Sequence, residues 1–180
     1  MENLNMKNFK DRGRTDKRNS NAIIQLKKMI SYIGPCNKMV EVGCYHGVCS
    51  ELFAENFQTV FCVDPWNDEE TRVNDHNMSM IEELFNKRVK KFTNITKMKM
   101  KSLDAVSEFE DESLDFVYLD ARHEFKHIKN DIQKWLPKVK LGGYVGGHDY
   151  SNGWPGVRRA VNEIFGKPDI VFGPNWIVKK

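Results

Sequence analysis

No stretch of the 180 residues approaches the roughly 18 consecutive apolar residues that a membrane-spanning helix requires, and residues 1 to 20 lack the apolar run of a secretion signal. No membrane partner is therefore expected, and the expected location is the cytoplasm. The chain also lacks a linker, an internal repeat and any low-complexity segment, so a single domain is expected. Charge of one sign is scarce as well: 28 basic against 25 acidic residues leave a net +3. That is too little to mark a nucleic-acid binder without a concentrated patch. The four cysteines, Cys36, Cys44, Cys49 and Cys62, form no CxxC pair and read as reduced, structural thiols. Basic residues do cluster twice, at Lys7, Lys10, Arg12, Arg14, Lys17 and Arg18 and again at Lys87, Arg88, Lys90, Lys91, Lys97, Lys99 and Lys101. They read as a flexible basic tail over residues 1 to 18 and a solvated face.

What is present is an alternation of helical and strand periods. Ile23, Leu26, Ile30 and Ile33 recur at three- and four-residue steps and predict an amphipathic helix over 19 to 33, closed by Gly34 and Pro35. A strand over 38 to 42 runs into Gly43, and Val48, Leu52 and Phe53 mark the helix that follows. The β-branched and aromatic run 59 to 63 predicts a second buried strand. Further strands are predicted over 97 to 101, 115 to 119 and 144 to 147. Ser102 is read as a helix cap, and Gly142-Gly143 as a turn. Helices carry Met78, Ile81, Leu84 and Phe85, then Phe125, Ile128, Ile132, Trp135 and Leu136, then Val157, Val161, Ile164 and Phe165. Two short strands around Gly173-Pro174-Asn175 predict a closing antiparallel hairpin. The class is α/β, a mostly parallel seven-stranded sheet with helices on both faces.

In an open parallel sheet, ligands bind beyond the carboxyl ends of the strands. Those ends carry Glu41 and Gly43, Asp64, Asp120 with His123, and His148 with Asp149. Carboxylates at so many strand ends are costly unless solvated, paired or bound, which favours a ligand site. Gly43 and Gly47 permit a tight turn, and Asp64 stands 21 positions after Gly43, where an acidic residue reaches ribose hydroxyls. Tyr45 and His46 fill the middle of the turn, where a dinucleotide fingerprint needs room for pyrophosphate. An NAD-dependent oxidoreductase is accordingly disfavoured.

The run Glu41-Val42-Gly43-Cys44-Tyr45-His46-Gly47-Val48-Cys49-Ser50 resembles motif I of class I S-adenosylmethionine-dependent methyltransferases, especially the catechol O-methyltransferase-like form. Val63-Asp64-Pro65-Trp66, the block from Asp115 through Asp120 to His123, the block from Leu141 to Tyr150, and Pro155-Gly156-Val157 resemble a methyltransferase family often found beside sugar-modifying genes. The resemblance spans about residues 36 to 180 and implies a Rossmann-like class I methyltransferase fold. It places the backbone of Gly43, Tyr45 and Gly47 along the methionine part of the cofactor and Glu41 near its amino group. By the same resemblance Asp64 holds the ribose and Trp66 lies near the adenosine, with Ser102 and Leu103 near the adenine and Asp120 beside the cofactor. The implied metal ligands are Asp120, His148 and Asp149, for Mg²⁺ or, because imidazole suits softer ions, Mn²⁺. His123 stands where such enzymes carry a lysine base, and its unperturbed pKa of about 6.5 would let it accept a proton.

The function so implied is O-methylation of a hydroxyl on a small molecule or sugar. The N-terminal helix and the loop over 65 to 75 are the expected cover for the acceptor, since the chain ends at the hairpin. Self-association, where it occurs, is expected as a homodimer. Two alternatives stay open beside this reading. One is a nucleic-acid methyltransferase using the second basic cluster, against which stands the absence of an Asn-Pro-Pro-Tyr-type motif. The other is a non-catalytic S-adenosylmethionine-binding or regulatory module.

Overall fold

The computed structural model describes residues 21–67 and 77–180. The expected tail over 1 to 18 and most of the 65 to 75 loop lie outside the described residues. In chain order the elements are α1 (Asn21–Ile33), β1 (Lys38–Val42), α2 (Val48–Ala54), β2 (Thr59–Val63), α3 (Met78–Val89), β3 (Ile95–Met98), α4 (Ser102–Ala105), β4 (Leu114–Leu119), α5 (Phe125–Trp135), β5 (Val139–Gly147), α6 (Pro155–Phe165), β6 (Ile170–Phe172) and β7 (Asn175–Lys179). They build one seven-stranded sheet in the order β3-β2-β1-β4-β5-β7-β6. Six strands point the same way and β7 alone runs against them. None of the helices among the described residues is long and apolar enough to cross a membrane.

Strand alternation divides the core. Met39, Phe116 and Tyr118 face α1, α2 and α3, whereas Val40, Val42, Val117 and Leu119 face α5 and α6. On the first side Phe53, Phe85 and Met29 are fully enclosed; on the second, Ile132, Trp135 and Trp176 are. The chain leaves β1 for β2 and β3 on one flank, then crosses to β4 on the other. The switch between β1 and β4 is where an open sheet of this kind leaves a crevice.

The structure corrects three local expectations. The third strand is Ile95–Met98 rather than 97 to 101, because Ile95 pairs with Val60 and Met98 with Val63. Gly142 and Gly143 do not end a turn before β5; they lie within it, at a register shift against β4 between Leu114 and Phe116. A Cβ on Gly143 would stand 2.7 Å from the Asp115 carbonyl oxygen, so the bulge requires glycine there. Finally, Lys101 rather than Ser102 occupies the cap position of α4, and the Ser102 hydroxyl is committed elsewhere.

Gly147 at the end of β5 has no room for a side chain: a Cβ would lie 2.3 Å from the Leu119 carbonyl oxygen and 2.9 Å from Trp176 Nε1. Gly147→Ala is therefore expected to cost about 2–3 kcal/mol of unfolding free energy. Leu141→Lys on the same strand, where the side chain is 77% exposed, should change it by less than about 0.5 kcal/mol. Urea denaturation of the two variants checks this, and equal losses would show that the backbone approach at Gly147 is not limiting.

Candidate active site

The loop after β1 is built around a buried carboxylate. Asp64 Oδ2 accepts from the Cys44 N–H at 3.0 Å and the Tyr45 N–H at 2.9 Å, and Oδ1 accepts from the Trp66 N–H at 2.8 Å. Burial pushes the Asp64 pKa up, and the three N–H donors pull it back. Trp66 returns the contact, its indole N–H donating to the Tyr45 carbonyl at 2.8 Å while its ring lies against Phe85. Tyr45 and Trp66 both take positive φ, 50° and 42°. The Gly43 N–H donates to Val63 O and the Gly47 N–H to Cys44 O. The loop is thus clamped to the end of β2.

Both glycines make room for the protein itself. A Cβ on Gly43 (φ 88°) would sit 2.3 Å from the Asp120 carbonyl oxygen, and one on Gly47 (φ 84°) 2.9 Å from Phe85. Glu41 is fully buried beneath α2, where its carboxylate accepts from the Ser50 hydroxyl. Trp66 is buried under Phe85, so its ring is part of the loop's foundation rather than an open face for adenosine. At the start of α4, Leu103 is 46% exposed. Ser102 Oγ beside it donates to Asp131 Oδ1 at 2.6 Å and accepts from Trp135 Nε1 at 2.9 Å.

Against Gly43 lies the second half of the site. The Asp120 N–H donates to Val42 O and the His148 N–H to Leu119 O, which brings the ends of β1, β4 and β5 together. His123 Nε2 lies 2.7 Å from Asp149 Oδ2 and 3.6 Å from Asp120 Oδ1. His148 Nδ1 lies 2.8 Å from Asp149 Oδ1 and 3.9 Å from Asp120 Oδ1. Neither ring N–H is aligned on an oxygen, so these contacts are ionic more than hydrogen-bonded. Burial works against a charged His123, but Asp120 and Asp149 outweigh it and the pKa is pushed up to about 9. Burial likewise works against an ionised Asp149, and the two histidines overcome it, holding the carboxyl well below the usual range. Two neighbouring carboxylates thus favour the protonated imidazole of His123, where the sequence alone suggested an ordinary pKa.

Asp120, His123 and Asp149 each bring a ligand atom within 4.8 Å of the others. His148, the imidazole expected in the metal set, lies beside this group on the other Asp149 oxygen. Glu41, Cys44 and Cys62 form a second such group. There burial and the neighbouring Cys62 push the Cys44 thiol up, which disfavours the thiolate a metal needs. The second basic cluster is partly neutralised, with Arg88 and Lys91 on Glu51 and Lys97 and Lys99 on Glu82. All four cysteines are buried and free.

A family model described as "Methyltransferase domain" matches residues 40–150. The chain belongs to this family. The methyltransferase domain resembles the O-methyltransferase NovP with a TM-score of 0.66 at 17% identity, over 88% of this chain and 80% of that one. The N-methyltransferase NodS from Bradyrhizobium japonicum in complex with S-adenosyl-L-homocysteine matches with a TM-score of 0.55 at 16% identity, over 76% and 63%. At such identities the likeness is one of fold. An uncharacterized protein of Sinorhizobium fredii, y4gI, is 26% identical over 122 residues, which are 62% of this chain and 13% of that protein. The methyltransferase domain therefore spans only a small part of that relative's length.

The methyltransferase fold and family are those of S-adenosylmethionine-dependent enzymes. The crevice offers the Gly43 loop, the Asp64 carboxylate at the end of β2, and an open apolar Leu103 after β3. Two residues of the crevice were missed by sequence reasoning. Asp131 recurs with Ile128, Ile132 and Trp135 on the buried face of α5, a spacing that could have revealed it. Trp154 stacks on His123, and its signal was a large aromatic in an otherwise polar loop.

Asp131 yields a pH prediction. Burial pushes its pKa from 3.8 up to about 6, with the Ser102 hydroxyl opposing. The folded state thus holds this proton more tightly than the unfolded chain, and the ionised group opposes folding. Wild-type protein should lose about 2–3 kcal/mol relative to Asp131→Asn as pH rises from about 4 through 6. Urea unfolding of both proteins across that window checks it, and parallel stability curves would contradict it.

Proposed function

We propose that the chain methylates a hydroxyl on a small molecule or sugar, using S-adenosylmethionine, with Asp120, His123 and Asp149 as the groups that meet the acceptor. The observation that supports this is their convergence beside the Gly43 loop: Asp120 is pressed by its backbone against Gly43, and its side chain lies with His123 and Asp149.

The charge of the crevice agrees. N–H groups of Gly43, Cys44, Tyr45 and Gly47 are all taken by Val63 O, Asp64 and Cys44 O. A pyrophosphate would find these donors occupied and a carboxylate beside it, whereas a sulfonium carries no phosphate and is positive. Bound in the crevice, S-adenosylmethionine would supply the methyl group, the acceptor oxygen bonding to its carbon as the carbon–sulfur bond broke and the electron pair stayed on sulfur. The protein's part is alignment and removal of the acceptor's proton.

As an imidazolium paired to two carboxylates, His123 can take that proton only after losing its own. Asp120, His123 and Asp149 have the chemistry to hold a divalent cation, and two carboxylates with one imidazole suit Mn²⁺ better than Mg²⁺. A cation there would act as a Lewis acid that lowers the pKa of the acceptor hydroxyl. Without a cation the cluster supplies only charges that orient the acceptor, because the histidines that hold Asp149 ionised also make it a weak proton acceptor.

The division of labour is testable with labelled S-adenosylmethionine and a metabolite extract, the acceptor being read by mass spectrometry. His123→Ala should lower turnover by about 10²–10⁴-fold while leaving cofactor affinity by calorimetry within twofold. Asp64→Ala should weaken cofactor affinity by about tenfold or more, because the loop loses its clamp. Chelation should abolish transfer, and Mn²⁺ should restore it more fully than Mg²⁺. Equal loss of cofactor binding in the two variants would defeat the assignment, and chelator-insensitive transfer would remove the cation.

A further inference from the structure

Of the four tryptophans, Trp66, Trp135 and Trp176 are enclosed, while Trp154 is 45% exposed. Its ring lies on the His123 imidazole, with centroids 4.4 Å apart and planes inclined by 31°. The loop that carries it is pinned along its length. The Tyr150 N–H donates to Pro174 O at 2.9 Å and the Tyr150 hydroxyl to Asn162 Oδ1 at 2.7 Å. Arg158 donates to Asn152, and the Trp154 N–H donates to Ser151 O at 3.2 Å. Two residues on, Gly156 brings the start of α6 onto the backbone that follows His123: a Cβ there would stand 2.4 Å from His123 O and 2.8 Å from Phe125 N. Indole and imidazole are thus held against each other by main-chain contact, and the rest of the indole is left open.

A large aromatic surface fixed beside a polar cluster, and not used by the core, is the arrangement that takes the face of a ring. We propose that Trp154 is the acceptor platform: its open indole surface stacks on a ring-bearing acceptor, a phenol or a pyranose, and sets that ring's hydroxyl over Asp120, His123 and Asp149. Both ring types present a flat or C–H-lined face to an indole, and an open-chain alcohol presents none. This rests on the methyltransferase reading above, which supplies the reason for an acceptor to lie there.

The test uses the full chain with ¹⁵N-labelled tryptophan, whose four indole N–H resonances are assigned with Trp154→Phe. S-adenosylhomocysteine is added first, then phenol or methyl α-D-glucopyranoside in separate titrations to tens of millimolar. The expected result is a saturable shift of the Trp154 resonance that exceeds the shifts of the other three. A response to phenol alone assigns an aromatic acceptor, and a response to the glycoside alone assigns a sugar. Trp154→Ala should keep S-adenosylhomocysteine affinity within twofold and lose saturable binding of the responding ring, followed on the ring's own protons by saturation transfer. If neither ring moves Trp154 preferentially in protein that binds S-adenosylhomocysteine, the platform is overturned. If S-adenosylhomocysteine itself does not bind, the methyltransferase reading fails first and takes the platform with it.

Discussion

Close backbone approach at the carboxyl ends of β1, β4 and β5 governs what the crevice can contain. Gly43 meets the Asp120 carbonyl and Gly147 meets the Leu119 carbonyl at separations that leave no space for a Cβ. A methyl group at either place would push the strand ends apart, and Asp120, His148 and Asp149 project from those ends. Distances of a few ångströms among charged side chains are therefore set by main chain packed on main chain, which deforms far less than side-chain rotamers do. The switch in strand order between β1 and β4 opens the crevice, and the glycines determine how narrowly it opens.

Within that crevice the carboxylates are satisfied in different ways, and the differences assign roles. Glu41 is sealed under α2 with Ser50, and Asp64 is held by three backbone N–H groups. Both commitments shape the loop and could be broken only by remodelling it. Asp120 and Asp149 are instead balanced by His123, a partly exposed side chain that can move or lose its proton. A cation, or an acceptor hydroxyl, competes with an imidazolium far more easily than with a peptide N–H inside a clamped turn. The carboxylates whose partners can exchange thus lie on the side of the crevice where Trp154 stands.

Much of the fold was legible because it depends on period and composition. The amphipathic spacing from Ile23 to Ile33, the apolar runs of β1, β2 and β4, and the Gly173-Pro174 turn all act within a few residues of themselves. The structure differs where a partner far along the chain decides. Ile95 is a strand residue because Val60 lies beside it, and Gly142-Gly143 continue β5 because Lys180 exchanges backbone hydrogen bonds with them while the Asp115 carbonyl lies against Gly143. The site followed the same rule. Motif order placed Asp120, His123, His148 and Asp149 at strand ends, but which imidazole reaches which carboxylate shows only in the folded chain, where Asp149 takes a φ of 62° and meets both rings. Trp154 showed in the sequence only as a large aromatic in a polar loop; its contact with His123 depends on the close approach of Gly156 to the backbone after His123.

The sign of the charge in the crevice also bears on what such a site admits. A glycine turn between a strand and a helix commonly offers its free N–H groups to phosphate. Here those groups are spent on Asp64 and on neighbouring carbonyls, so the protein's own carboxylate fills the place of an external anion. The bulk of Tyr45 is a second obstacle to pyrophosphate, but the occupied N–H groups are the stronger one, because a side chain can swing aside and a donor already bonded to a buried carboxylate cannot be freed without stranding that charge. Asp64 thus does two things at once. It fixes the loop's shape, and it occupies the N–H groups that a phosphate would otherwise use.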